Sequence, residues 1–205
     1  MKISSKKLTG GQAAVKSLKK EQVKHVFGLI GSATMEMFDA FYHEKKIKFI
    51  DVRDERTGTH MADGYARASN QPGVIIAGQN GPGATNLVTG LAQAKAAFSP
   101  VVSLAGLYST KDNMEDAFQG LDQQSLFEPV TKKTITLKNS KNIPNTISDG
   151  FNIAMSPRRG PVCINLPRNL LAEKNNFKIN EKIKSYKNTN ETCLLYTSDA
   201  ADDHH

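Results

Sequence analysis

The sequence predicts an α/β fold, a three-layer sandwich with a mostly parallel central sheet flanked by helices, and three observations predict it. Short apolar runs rich in β-branched residues alternate with longer helical patterns between residues 8 and 172. Those runs stay apolar over most of their length, the signature of strands covered on both faces. Four of them pass into the next helical stretch through turns that are either rich in glycine or acidic.

In chain order, each element has its own local cause. Thr9 stands where a hydroxyl can cap a helix over residues 11–22. A strand over 25–27 ends in the glycine-bearing run Gly28-Leu29-Ile30-Gly31-Ser32, and a helix over 35–42 follows. The apolar run at 48–52 gives a second strand, which leads through Arg53-Asp54 into a helix over 55–68. A strand over 74–77 enters a loop with glycine at 78, 81 and 83, and Pro82 suits the first position of a helix over 82–98, where a missing N–H is harmless. Strands over 101–104, 134–137 and 162–166 and a helix over 143–155 complete the alternation, with right-handed crossovers expected between parallel strands. Residues 1–173 therefore read as one domain. Residues 174–192 are polar and lysine-rich and read as the start of an interdomain linker, a solvated tail being the alternative. The last thirteen residues, CLLYTSDAADDHH, fit neither pattern and read as a non-native extension from 193 to 205.

Composition narrows the function classes. The chain carries 27 basic against 20 acidic residues, but the lysines are scattered and do not alternate with aromatics along a stripe, so nucleic acid is not an expected partner. Its N-terminus lacks the apolar core of a signal peptide, and no apolar run approaches the ~18 residues of a membrane span, so no membrane partner is expected either. Two cysteines, Cys163 and Cys193, form no disulfide framework and no metal-ligand spacing. A cytoplasmic protein is the expectation.

In an open parallel sheet, ligands bind beyond the carboxyl ends of the strands. The segments there are 28–32, 53–55, 78–83 and 106–119. The first lacks the GxGxxG spacing of a dinucleotide site, and the third lacks the Lys-Ser/Thr of a P-loop. Taken singly, each reads as an ordinary strand-to-helix turn, with a sugar-nucleotide or flavin-binding domain as the ligand-binding alternative.

Four motifs in register carry a resemblance. The run from Glu55 through Ala62-Asp63-Gly64-Tyr65-Ala66-Arg67, the run Gly81-Pro82-Gly83-Ala84-Thr85-Asn86, the run Asp116-Ala117-Phe118-Gln119 and the run 160–167 together resemble thiamine-diphosphate-dependent enzymes of the acetolactate synthase group, in their N-terminal pyrimidine-binding domain. Residues 30–33 and 79–83 look closer to sulfoacetaldehyde acetyltransferases. Two departures stand out: Ile30 and Gly120 occupy places where acetolactate synthases usually have proline and glutamate.

The resemblance implies a set of roles. Glu55 would hydrogen-bond N1′ of the cofactor's aminopyrimidine, favouring the tautomer whose 4′ nitrogen removes the C2 proton. That role needs a carboxyl group held against an apolar ring. Ile30, Gly31, Asn80, Pro82 and Asn86 would line the cofactor, although Asn86 could instead satisfy loop backbone groups. Gln119 would contact the reacting species, with Phe118 walling the substrate channel. The implied cofactors are thiamine diphosphate and Mg²⁺, the metal being held by a GDG-plus-Asn motif in a later domain; FAD in such a domain is left open. The implied parent is a transferase or lyase joining a 2-oxo acid or aldehyde to an acceptor. A 2-hydroxyacyl-CoA lyase or decarboxylase, and a non-catalytic domain retaining the fold, are the other readings. The family builds its site between subunits, so a homodimer or homotetramer is expected and the 205-residue chain alone should be inactive.

Overall fold

Thr9 and Gln12 begin the folded chain by capping each other. The Gln12 backbone N–H donates to Thr9 Oγ1 at 3.1 Å, and the Thr9 N–H donates to Gln12 Oε1 at 3.1 Å. This reciprocal box satisfies donors that the first helical turn would otherwise leave without partners. The structure is a computed structural model that describes residues 7–179; residues 1–6 and 180–205, which include most of the expected linker and the whole extension, lie outside the described residues.

The described chain runs β1 (Leu8–Thr9), α1 (Gly10–Lys20), β2 (His25–Leu29), α2 (Met35–His43), β3 (Lys48–Asp51), α3 (Glu55–Ser69), β4 (Gly73–Ala77) and α4 (Pro82–Ala96). It continues through β5 (Val101–Leu107), α5 (Gln123–Phe127), β6 (Lys133–Thr136), α6 (Ile143–Met155), β7 (Val162–Pro167), α7 (Arg168–Ala172) and β8 (Lys174–Asn175). Six strands form one sheet in the order β3-β2-β4-β5-β7-β6, and every neighbouring pair in it is parallel. The three-layer α/β architecture follows the apolar runs of the sequence.

Each strand serves both layers because its side chains alternate. In β4, Val74 and Ile76 join the core under α1, α2 and α6, whereas Ile75 and Ala77 join the core under α3 and α4. All four are fully buried, as are Leu87 and Leu91 of α4 and Ile147 and Phe151 of α6. A fully buried aliphatic or aromatic side chain of this kind contributes about 1.5–3 kcal/mol, so the two faces together dominate the fold's stability.

Three short features have no clear signal in the sequence. α5 and α7 are five residues each, too short for an amphipathic period to declare itself. The third lies in the segment read as linker: Lys174 and Asn175 pair antiparallel with Thr9 and Leu8, and Phe177 packs against the core. The two ends of the described chain are thereby fastened by backbone hydrogen bonds, which composition does not encode.

β2 and β4 are adjacent strands whose following helices depart to opposite faces, α2 to one core and α4 to the other. Such a switch point opens a crevice at the carboxyl ends of the strands. The sheet's topology therefore places the loops after β2 and β4 together.

Candidate functional site

At the switch point the two loops touch through backbone. A Cβ added to Gly31 would lie 2.4 Å from the Gly78 carbonyl carbon, and one on Gly78 would lie 2.2 Å from Gly31 N. Glycine at both positions lets the loops close, and Ala33 N–H donates to Gly78 O at 3.0 Å across the seam.

One corner of the site is built by helices α3 and α4. Asp54 caps α3, accepting from the N–H groups of Arg56 at 2.8 Å and Thr57 at 3.3 Å. Desolvation pushes its carboxyl upward, but those two N–H groups and the Arg56 guanidinium outweigh it and hold Asp54 below its usual range. The capping turn places Glu55 as the first residue of α3, only 4 % exposed. Glu55 Oε2 accepts from Asn86 Nδ2 at 3.0 Å, so the loop-backbone alternative for Asn86 is not the arrangement observed. Oε1 lies beside Gly83, where an added Cβ would stand 3.0 Å away. Among the described residues the hydrogen bonds engage only Oε2, and Gly83 puts no side chain of its own beside Oε1.

One turn deeper, the same two helices meet at Gly90 and Thr59. A Cβ on Gly90 would come within 2.5 Å of Thr59 Cβ, and Thr59 Oγ1 donates to the Glu55 carbonyl at 2.7 Å. Close helix contact therefore sets the span that the Asn86–Glu55 hydrogen bond crosses.

A second corner is built by the loop between β5 and α5. Asn80, 4 % exposed, donates through Nδ2 to the carbonyls of Phe118 at 2.7 Å and Gln119 at 2.8 Å. Gln79 Nε2 donates to Gln119 Oε1 at 2.9 Å and to Asn80 Oδ1 at 3.3 Å, while Ser32 Oγ donates to Gln79 Oε1 at 2.8 Å. Gly81 and Gln119 both adopt left-handed backbone, φ 59° and 54°. A side chain at 81 would collide with the Gln119 carbonyl, 2.5 Å from its Cβ, so glycine is required there twice over. The loop's far end is held by buried Gln123, which accepts from Gly81 N–H at 3.3 Å and donates to Gly106 O at 3.1 Å and Asn165 Oδ1 at 3.0 Å.

The sequence-predicted residues thus fall into connected groups. Glu55 and Asn86 are bonded, Asn80 holds Phe118 and Gln119, and Pro82 starts α4 between them, exposed on its surface. Ile30 and Phe118 are open to solvent, 59 % and 79 % exposed. At Gly120 an added Cβ would fall 1.9 Å from Met114 O, so the glutamate usual in acetolactate synthases does not fit this loop as it is folded here. Sequence reasoning assigns no role to Gln79 or Gln123; an uncharged amide carries no periodic signal, and their partners lie about 40 residues away.

A concavity of about 360 Å³ opens beyond β5, β6 and β7 and is lined by Leu107, Tyr108, Thr136, Lys138 and Pro167 among others, none of them from the Glu55 corner. It holds no buried carboxylate, and the chemistry favours the Glu55 corner, which does. Among the described residues no group of three or more His, Cys, Asp or Glu could hold a metal ion, and no helix is long and apolar enough to cross a membrane.

Known proteins resemble this chain over most of its length. Residues 8–126 match the family described as thiamine pyrophosphate enzyme, N-terminal TPP binding domain. The chain is 43 % identical over 163 residues to a probable acetolactate synthase large subunit of Methanocaldococcus jannaschii, covering 80 % of this chain and 27 % of that protein. It is 39 % identical over 164 residues to the acetolactate synthase isozyme 3 large subunit of Escherichia coli, covering 80 % and 28 %. A mitochondrial acetolactate synthase catalytic subunit of Aspergillus candidus is 40 % identical over 164 residues, with 80 % and 24 % covered. The chain spans about a quarter of the length of these relatives. With a buried acid at the switch point and the family match running over more than half its length, the chain belongs to the thiamine pyrophosphate enzymes, and residues 8–126 correspond to their N-terminal domain.

Proposed function

We propose that the Glu55 corner receives the aminopyrimidine ring of thiamine diphosphate and that Glu55 hydrogen-bonds its N1′. One observation carries the reading: a carboxylate almost out of solvent, one oxygen fixed by Asn86 and the other beside Gly83 with no hydrogen-bond partner among the described residues. The residues fit such a ring, because its N1′ needs a carboxylate oxygen that no other group has engaged and a neighbouring residue without side chain. When bound, the cofactor supplies an acidic C2 position, the hard chemistry of this enzyme class. The chain's own residues do the rest. Asn86 holds the Glu55 rotamer, Glu55 shares a proton at N1′, and Ile30, Gly31, Asn80 and Pro82 frame the ring. Phe118 walls the approach, and Gln119 offers a polar contact to the substrate.

The proposed parent activity is carboligation of a 2-oxo acid or aldehyde, on the acetolactate synthase pattern of the relatives. Mg²⁺ for the diphosphate, any FAD, and the rest of the site would come from other parts of the protein, with at least a homodimer as the working unit. A second reading, sulfoacetaldehyde acetyltransfer, is favoured by one feature: the residues 79–83 that resemble those enzymes are the ones that fasten the Gln119 loop. By itself the 205-residue chain is expected to turn nothing over.

The test is Glu55→Gln in the full-length enzyme. Hydrogen–deuterium exchange at cofactor C2 should slow by roughly 10²–10⁴, the range of a lost acid–base group. An unchanged exchange rate would remove Glu55 from this role.

A further inference from the structure

The amide groups around Gln119 form a chain whose polarity is fixed at one end. Backbone carbonyls can only accept, so the two that meet Asn80, those of Phe118 and Gln119, force its Nδ2 to face them. Asn80 Oδ1 is thereby turned to Gln79, which must donate to it through Nε2. The same Nε2 also faces the Gln119 side chain, and a donor there requires Gln119 to present Oε1, as it does at 2.9 Å. Ser32 closes the other side of Gln79 by donating to its Oε1. Every orientation in the series follows from the two carbonyls. What remains is the NH₂ of Gln119, which meets no acceptor among the described residues although Gln119 is exposed at the crevice.

We infer that Gln79 and Asn80 are positioning residues that lock the Gln119 carboxamide with its NH₂ outward, making position 119 a hydrogen-bond donor toward the substrate. This rests on the carboligase reading above and specifies it. The ligand group met at Gln119 is an oxygen acceptor, the carbonyl, carboxylate or sulfonate oxygen of a 2-oxo acid or aldehyde, and not a hydroxyl required to donate. An apolar or unpinned neighbour at 79 would let the amide rotate and offer either face, so the lock confers specificity as well as placement.

Two variants of the full-length enzyme separate orientation from mere packing. Gln79→Glu keeps the size and still accepts from Ser32, but it can no longer donate, so Gln119 must turn its NH₂ inward to the new carboxylate and present Oε1 to the substrate. Gln79→Leu removes the bonds without imposing either orientation. The expected result is a rise in KM for the 2-oxo substrate of about tenfold for Gln79→Glu against about two- to threefold for Gln79→Leu, the scale of one lost or reversed hydrogen bond. A packing role predicts the reverse order, since leucine departs further from the native polar contacts. Equal penalties, or a larger one for leucine, overturn the inference. The C2-exchange measurement keeps the two readings apart. An enzyme that exchanges its cofactor proton through Glu55 yet shows no Glu-over-Leu difference loses only the amide lock, whereas loss of Glu55-dependent exchange strikes the cofactor reading itself.

Discussion

The two corners of the crevice are made in different ways. The Glu55 corner is made by packing: a capped helix start, a buried carboxylate and a helix pair that meets at Gly90 and Thr59. The Gln119 corner is made by side-chain amides reaching from the β4–α4 loop to an exposed loop, with few buried contacts of its own. The first arrangement resists displacement because interiors are dense and shift only by discrete rearrangement. The second opens with the loss of a few hydrogen bonds, each worth about 0.5–1.5 kcal/mol net. This division suits the proposed chemistry. The group that must hold a proton is set in the rigid part, and the group that must admit and release substrate is set in the part that can move.

On this division, substitutions on the two sides should differ in kind. The largest effect is expected at Gly90→Ala. The added methyl meets the β-branched Thr59 side chain at 2.5 Å, so α3 and α4 must separate. Overpacking of this sort costs about 1–3 kcal/mol. The melting temperature of the 205-residue chain should fall accordingly, and in the full-length enzyme the Glu55-dependent C2 exchange should fall with it because Asn86 is carried away from Glu55. Unchanged melting would show that the helix contact does not bear on this corner.

On the loop side, Asn80→Ala should do less to stability and more to local opening. Removing its Nδ2 releases the Phe118 and Gln119 carbonyls, which water can then satisfy because both residues are exposed. The global loss should be about 1 kcal/mol. Tryptic cleavage at exposed Lys111, in the freed loop, should rise by roughly fivefold, as the population of the open loop grows. A global loss as large as that of Gly90→Ala, with no change in cleavage, would erase the distinction between the corners.

The same contrast governs what can be read from the sequence. The sheet and its helices are legible because Val74–Ala77 and their counterparts are apolar on both faces, and because Thr9 and Pro82 occupy places where their chemistry suits a helix start. Glu55 stands out only through the motif that carries the family resemblance, since segment 53–55 taken alone reads as an ordinary strand-to-helix turn; its burial is a finding of the fold. The pairing of Lys174 and Asn175 with Thr9 and Leu8 is not legible, since it is made by backbone in a segment whose side chains read as solvated. Nor are the contacts of Gln79 and Gln123. Their partners include the backbone of Gly106 and side chains at positions 119 and 165, and no local spacing announces them. Packing leaves a periodic trace in a sequence; an amide network between loops does not.

The smallest expected effect lies at the end of the loop and depends on pH. Asp122 caps α5, the short helix that delivers Gln123, accepting from Ser125 N–H at 3.1 Å and from Ser125 Oγ at 2.6 Å. The Ser125 hydroxyl first, and its N–H second, outweigh desolvation and hold the Asp122 carboxyl below its ordinary range. A group whose folded value is depressed stabilises the fold above its unfolded value, about 3.9 for aspartate, and that contribution disappears as the pH falls through the lower, folded value. An asparagine in its place caps almost as well but cannot titrate. Asp122→Asn should therefore melt within about two degrees of the parent at pH 7, and the parent should lose ground to the variant as acid is added below about pH 4. Because α5 anchors the loop, cleavage of the loop by pepsin, a protease that works in acid, should climb more steeply for the parent than for the variant over that same interval. Acid profiles that superimpose for the two proteins would show that the Asp122 cap contributes nothing to holding the loop.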